Sequence, residues 1–157
     1  MDPAVRQLYG ERTRIRVCGL CIKGGRILLV NHAGLRDGDF WAPPGGGIEF
    51  GETAPEALER EFREETGLQI RVGEFLFVCE LVSPPLHSIE LFFDVESLGG
   101  RLLTGTDPES GTKQLIKDVR FHLFSQLDNL PPDSLHGIFT NAPEKAQINS
   151  LRGYFKL

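Results

Sequence analysis

The sequence predicts an α/β fold, and three observations carry the prediction. A helix of about Ala54 to Thr66 is specified at both ends. A β-hairpin precedes it, Arg12 to Ile22 turning at Gly24-Gly25 into Arg26 to Asn31. Two strand-like runs follow it, Gln69 to Val82 and His87 to Glu96. Strands before and after a well-bounded helix need a layered core. A chain of 157 residues is long enough for one such core and short for two, so residues 1–157 are read as a single domain.

Taken in order, residues 2–9 suit a short helical turn. Within Arg12 to Ile22, Cys18 and Cys21 have C-x-x-C spacing. In a strand, residues three apart face opposite sides, so buried structural thiols are expected and no redox or zinc site. The loop from Asn31 to Asp39 is polar and glycine-rich. Arg36 in it is either a solvated loop residue or one that reaches a substrate phosphate. Trp41, the sole tryptophan, is either a packed core residue or a platform for stacking on a base. Gly45-Gly46-Gly47 permits positive φ and close approach of backbone to ligand.

The helix carries the strongest signal. Thr53 and Glu56 have capping-box spacing, Pro55 falls in the first turn, and Gly67 suits the left-handed position after the last turn. At roughly 100° per residue, Glu61, Glu64 and Glu65 fall on one side, next to Leu58 and Phe62. Glu56, Glu59 and Arg63 point away. Crowded carboxylates at the edge of an apolar face repel unless something neutralises them, and a hard divalent cation does so. Arg60 can pair with Glu56 or Glu64, or reach back to Glu52.

The pattern Gly46, five residues, Glu52, seven residues, Arg60-Glu61-Phe62, one residue, Glu64-Glu65, one residue, Gly67-Leu68 resembles the Nudix box in every position. The resemblance implies an α/β/α sandwich with a mixed central sheet, the box helix on one side and a C-terminal helix on the other. It implies a hydrolase that uses Mg²⁺ or Mn²⁺ to cleave a nucleoside diphosphate linked to another group, of the ADP-ribose or nucleotide-sugar type. The alternatives are a pyrophosphatase of nucleoside triphosphates, oxidised ones included, and a nucleotide sensor without turnover. By the same resemblance Glu61, Glu64 and Glu65 hold metal with the carbonyl of Gly45. Gly46, Glu52, Arg60 and Gly67 are structural, Arg60 holding Glu52. The general base is Glu61, Glu64 or an acid of the loop before the last strand, Glu109 first and Asp107 second.

Beyond the helix, Ser83-Pro84-Pro85 breaks the strand run. Pro84 lies sixteen positions after Leu68, an offset that resembles a proline of ADP-ribose-cleaving Nudix enzymes. In His87 to Glu96, Ile89, Leu91, Phe93 and Val95 share one face, and Ser88, Glu90, Phe92, Asp94 and Glu96 the other. Glu90 faces either the site or solvent. Gly99-Gly100 turns the chain, and Thr104 to Lys113 is a polar loop. Ile116 to Phe124 reads as the last strand. A short helix from Ser125 to Leu130 ends at Pro131-Pro132, and two weaker helical stretches follow, near 133–140 and 143–152.

The net charge of −5 argues against a nucleic-acid or membrane surface held by general electrostatics. It leaves a small nucleotide as partner, because bound metal reverses the local sign. The N-terminus lacks a signal-peptide core, so the cytoplasm is the expected location. Substrate choice falls to loops 31–40, 83–87 and 104–113 and to any second subunit, so a homodimer is left open.

Overall fold

The computed structural model describes residues 1–103 and 116–157. The first helix, α1, is Pro3–Tyr9. Strands β1 (Arg12–Lys23), β2 (Arg26–His32), β3 (Trp41–Ala42) and β4 (Gly45–Gly47) precede helix α2 (Ala54–Thr66). Strands β5 (Leu68–Ser83), β6 (Leu86–Gly100) and β7 (Ile116–Leu123) follow, then α3 (Phe124–Leu127). Three 3₁₀ turns, Pro132–Ser134, Gly137–Thr140 and Lys145–Ser150, lead to β8 (Gly153–Lys156). No described helix is long and apolar enough to cross a membrane.

Among the described residues the strands form one mixed eight-stranded sheet in the order β3-β2-β1-β6-β5-β8, with β4 added on β1 and β7 on β2. The hairpin β1–β2 is joined only at its tip, through Ile22↔Ile27 and Lys23↔Arg26. Below the tip the two strands part. β1 runs parallel to β6 from Arg12↔Leu86 to Cys21↔Val95, while β2 pairs antiparallel with β7. The opening between them is where the β4 glycines and the end of β3 sit.

Both faces of the sheet are covered. On one, Phe62, Leu58 and Ala57 of α2 pack with Val17, Cys21 and Val95. On the other, α3 and the 3₁₀ turns bring Leu127, Ile138, Phe139 and Ile148 against Cys18, Leu20, Phe77 and Phe92. This second layer is short turns where one C-terminal helix was expected. Cys18 and Cys21 lie on opposite faces as free buried thiols, and burial raises the pKa of both.

Two readings need correction, and one left open is resolved. The last strand is β8, which pairs parallel with β5 through Phe77↔Gly153 to Glu80↔Lys156. Its four residues are too few to show a period. The glycines at 45–47 are extended strand, paired with Arg16, Val17 and Cys18, and positive φ is found instead at Gly24, Gly25 and Gly67. Glu90 does not face solvent: it is 3% exposed, beside buried Ser88 and Phe92. A sheet covered on both sides removes the polar-out logic of alternation.

Candidate functional site

Helix α2 begins as its sequence requires. Thr53 and Glu56 make the reciprocal capping box, Pro55 sits in the first turn, and Gly67 closes the helix at φ 76°. Leu58 and Phe62 anchor the buried face. Gly19 on β1 lets them approach: a Cβ there would lie 2.6 Å from Cε2 of Phe62. Fixing the helix at this depth brings Glu61 and Glu65 against β4.

Gly46 of β4 makes room for the Glu61 carboxylate, and Gly45 for the backbone of β1. A Cβ on Gly46 would overlap the Glu61 carboxylate, and one on Gly45 would overlap the Val17 carbonyl oxygen. The Gly45 N–H donates to Glu65 Oε2 at 3.0 Å. Glu61 and Glu65 are buried and Glu64 is exposed. Arg60 ties loop to helix. Its Nε and Nη2 donate to the two Glu52 oxygens at 2.6 and 2.9 Å, Nη2 also donates to the Gly47 carbonyl, and Nη1 donates to Glu61 Oε1 at 2.7 Å. A Glu64 oxygen lies 3.5 Å from the same Nη1. These bonds, with the Glu49 N–H, hold the Glu52 carboxyl down at about 2. Glu49 supplies that N–H to Glu52 Oε2 at 2.9 Å.

Among the described residues no group of three or more His, Cys, Asp or Glu already converges in a metal-holding arrangement. The donor chemistry fits a hard cation all the same: Glu61, Glu64, Glu65 and the Gly45 backbone offer only oxygens, and Gly46 leaves the Glu61 carboxylate a cradle that any Cβ would fill. Arg60 supplies the positive charge beside Glu61 and Glu64 in this structure.

The cleft next to these groups is lined by Glu61, Glu65 and the β4 glycines, by His32, Leu35 and Phe40, and by Arg14, Arg16, Glu90 and His136. The last four were not among the expected site residues, apart from the open reading of Glu90. Arg16 Nη1 donates to Glu90 Oε1 at 2.7 Å, and His136 Nε2 lies 2.7 Å from Glu90 Oε2. The Ile138 N–H donates to His136 Nδ1, so Nε2 carries the proton and donates to Glu90. Burial works against the Glu90 charge, but the hydrogen bond from His136 and the Arg16 guanidinium prevail and hold its carboxyl below the usual carboxylate range. Burial also opposes the Arg16 charge, which Glu90 more than offsets. The sequence did hold a signal for the arginines: Arg12, Arg14 and Arg16 alternate, so all three share one strand face.

Of the two expected substrate contacts, Arg36 is not among the cleft-lining residues, though its neighbour Leu35 is. Arg36 Nη1 donates to the Asp133 carbonyl at 2.7 Å, and its guanidinium lies over the Phe40 ring. Trp41 is 4% exposed and meets His122 edge-on at 4.5 Å, which is core packing; its neighbours Phe40 and Ala42 line the cleft. Pro84 lies in the β5–β6 turn, in a cis peptide bond with Pro85. Glu109 and Asp107 lie outside the described residues.

The NUDIX domain family matches residues 11–139. An ADP-ribose pyrophosphatase of Methanocaldococcus jannaschii is 34% identical over 119 residues, which are 74% of this chain and 64% of that protein. A nucleoside triphosphatase NudI of Escherichia coli is 47% identical over 66 residues, 40% of this chain and 46% of that protein. The chain thus spans less than two thirds of either relative. A NUDIX hydrolase from Nitrosomonas europaea has a similar fold, with a TM-score of 0.68 at 18% identity, over 92% of this chain and 78% of that one.

Proposed function

The chain belongs to the NUDIX domain family, and we propose that it is a metal-dependent pyrophosphohydrolase acting on a nucleoside diphosphate linked to another group. The observation that carries the proposal is the cradle: glycine backbone at 45 and 46 packed on the Glu61 and Glu65 carboxylates, with Arg60 fixing loop to helix. A solvated acidic helix face would not require a side-chain-free position packed on Glu61, nor a backbone N–H aimed at Glu65.

In this proposal Glu61, Glu64, Glu65 and the Gly45 carbonyl hold Mg²⁺ or Mn²⁺. When bound, the metal would offset diphosphate charge and make the phosphorus easier for water to attack. The residues do the rest. Arg60 ties Glu52 on the loop to Glu61 on the helix. An acid, Glu61, Glu64 or Glu109, takes the proton from the attacking water. Phe40 and Leu35 form an apolar wall beside the cleft.

The resemblance to the archaeal ADP-ribose pyrophosphatase supports that substrate type; the resemblance to the nucleoside triphosphatase supports a second reading on triphosphates. A panel separates them: ADP-ribose, nucleotide sugars, dinucleoside polyphosphates and nucleoside triphosphates, each with Mg²⁺ and Mn²⁺, and products identified. The expected result is cleavage inside a diphosphate bridge that stops with chelator. Metal-bound protein that turns over no member of the panel would leave a sensor.

A further inference from the structure

The cleft wall opposite the helix glutamates carries paired positive charge. Arg14 and Arg16, two apart on β1, both line the cleft. Arg14 lies over the Tyr9 ring, its guanidinium carbon 4.0 Å from the ring centre. Burial, and then the like charge of Arg16, lowers its pKa to about 10. Arg16 uses Nη1 on Glu90, while its Nε is buried with no hydrogen-bond partner among the described residues. Glu90 already serves both Arg16 and His136. Glu90 is thus shared, and Arg14 adds a second guanidinium to the cleft two residues from Arg16. Glu61 and Glu65 also lower the cost of the Arg16 charge, but a cation held by those glutamates would cancel that help.

We propose that Arg14 and Arg16 form an oxyanion clamp that receives a phosphoryl group of the substrate, with Glu90 and His136 positioning Arg16. The clamp rests on the pyrophosphohydrolase reading and deepens it. The substrate would be held at two places, one phosphoryl group at the acidic cradle and another at the arginines. Two adjacent guanidiniums suit a multiply charged tetrahedral oxyanion, which accepts from both. A neutral base edge would leave one positive charge uncompensated. Glu90 acts through Arg16: it fixes the Nη1 end and so the plane of the guanidinium that lines the cleft.

The test is calorimetric binding of ADP in the presence of chelator, so that it does not depend on turnover. The expected result is at least a tenfold loss of affinity in Arg14→Gln and in Arg16→Gln, an intermediate loss in Arg16→Lys, and no change in Arg71→Gln, an exposed control on β5. Arg14→Gln breaks none of the ion pairs around Glu90, so it stays informative if Arg16→Gln folds poorly. Glu90→Gln should weaken ADP binding while adenosine binding stays as in the wild type. Wild-type affinity for ADP in Arg14→Gln, no ADP binding by the wild type, or an equal loss of adenosine binding in the arginine variants would each overturn the clamp. Binding that follows the clamp in a protein that hydrolyses no panel substrate would instead count against the pyrophosphohydrolase reading alone.

Discussion

Gly46 shows how little the site tolerates. Its missing side chain is the space that the Glu61 carboxylate occupies, whereas a Cβ on neighbouring Gly47 would meet only the end of Arg14, at 3.8 Å. Neither glycine has positive φ, so the substitutions differ in contact and not in backbone strain. Gly46→Ala should cost about 1–3 kcal/mol from overpacking and reduce turnover by displacing Glu61. Gly47→Ala should stay close to wild type in both. Thermal melts and initial rates on the best panel substrate read the difference, and equal behaviour of the two variants would show that the cradle is incidental. Residues of this kind were half legible. The glycine run announced close approach of backbone, but the partner turned out to be a protein carboxylate across a β-strand. Glu90 was harder, because a charged residue in an alternating strand reads as outward-facing until the second covering layer is known.

At the scale of elements, α2 was legible almost to the residue, because its signals are local: cap, first-turn proline, terminal glycine and apolar stripe lie within one segment. The same segment predicts its own brace. Arg60 spans from the loop at Glu52 to Glu61 on the helix and is mostly buried. Arg60→Ala should lose about 1–3 kcal/mol, since hydrogen bonds to charged partners vanish and two carboxylates are left facing each other. For a chain of this length that corresponds to a melting shift of several degrees. Added Mg²⁺ should restore part of the loss in Arg60→Ala, because it supplies the charge that the guanidinium no longer does. Arg63→Ala, on the exposed side, should melt like the wild type. A melt of Arg60→Ala that matches that of Arg63→Ala would remove Arg60 from the structural account.

For the molecule as a whole, the site exists because β1 and β2 part below their shared tip. β1 carries the arginines and pairs with the β4 glycines, while β2 and β3 bring up Phe40 and Ala42, and the chain after α3 returns His136 to Glu90. These pairings link segments far apart in sequence, and nothing local encodes them. For that reason β8 and the His136 contact were missed while the helix was not. The central claim is that the carboxylates of α2 are there to hold a divalent cation for diphosphate cleavage. The measurement closest to it is turnover of the best panel substrate as a function of Mg²⁺ concentration, in the wild type, Glu64→Gln and Glu59→Gln. Glu64→Gln should lower kcat by about a hundredfold or more and move half-saturation to higher Mg²⁺, since a hard cation loses an anionic ligand. Glu59→Gln, exposed on the far side of the helix, should follow the wild-type curve. Superimposed curves for Glu64→Gln and Glu59→Gln would contradict the claim and leave the acidic stripe a solvated helix face.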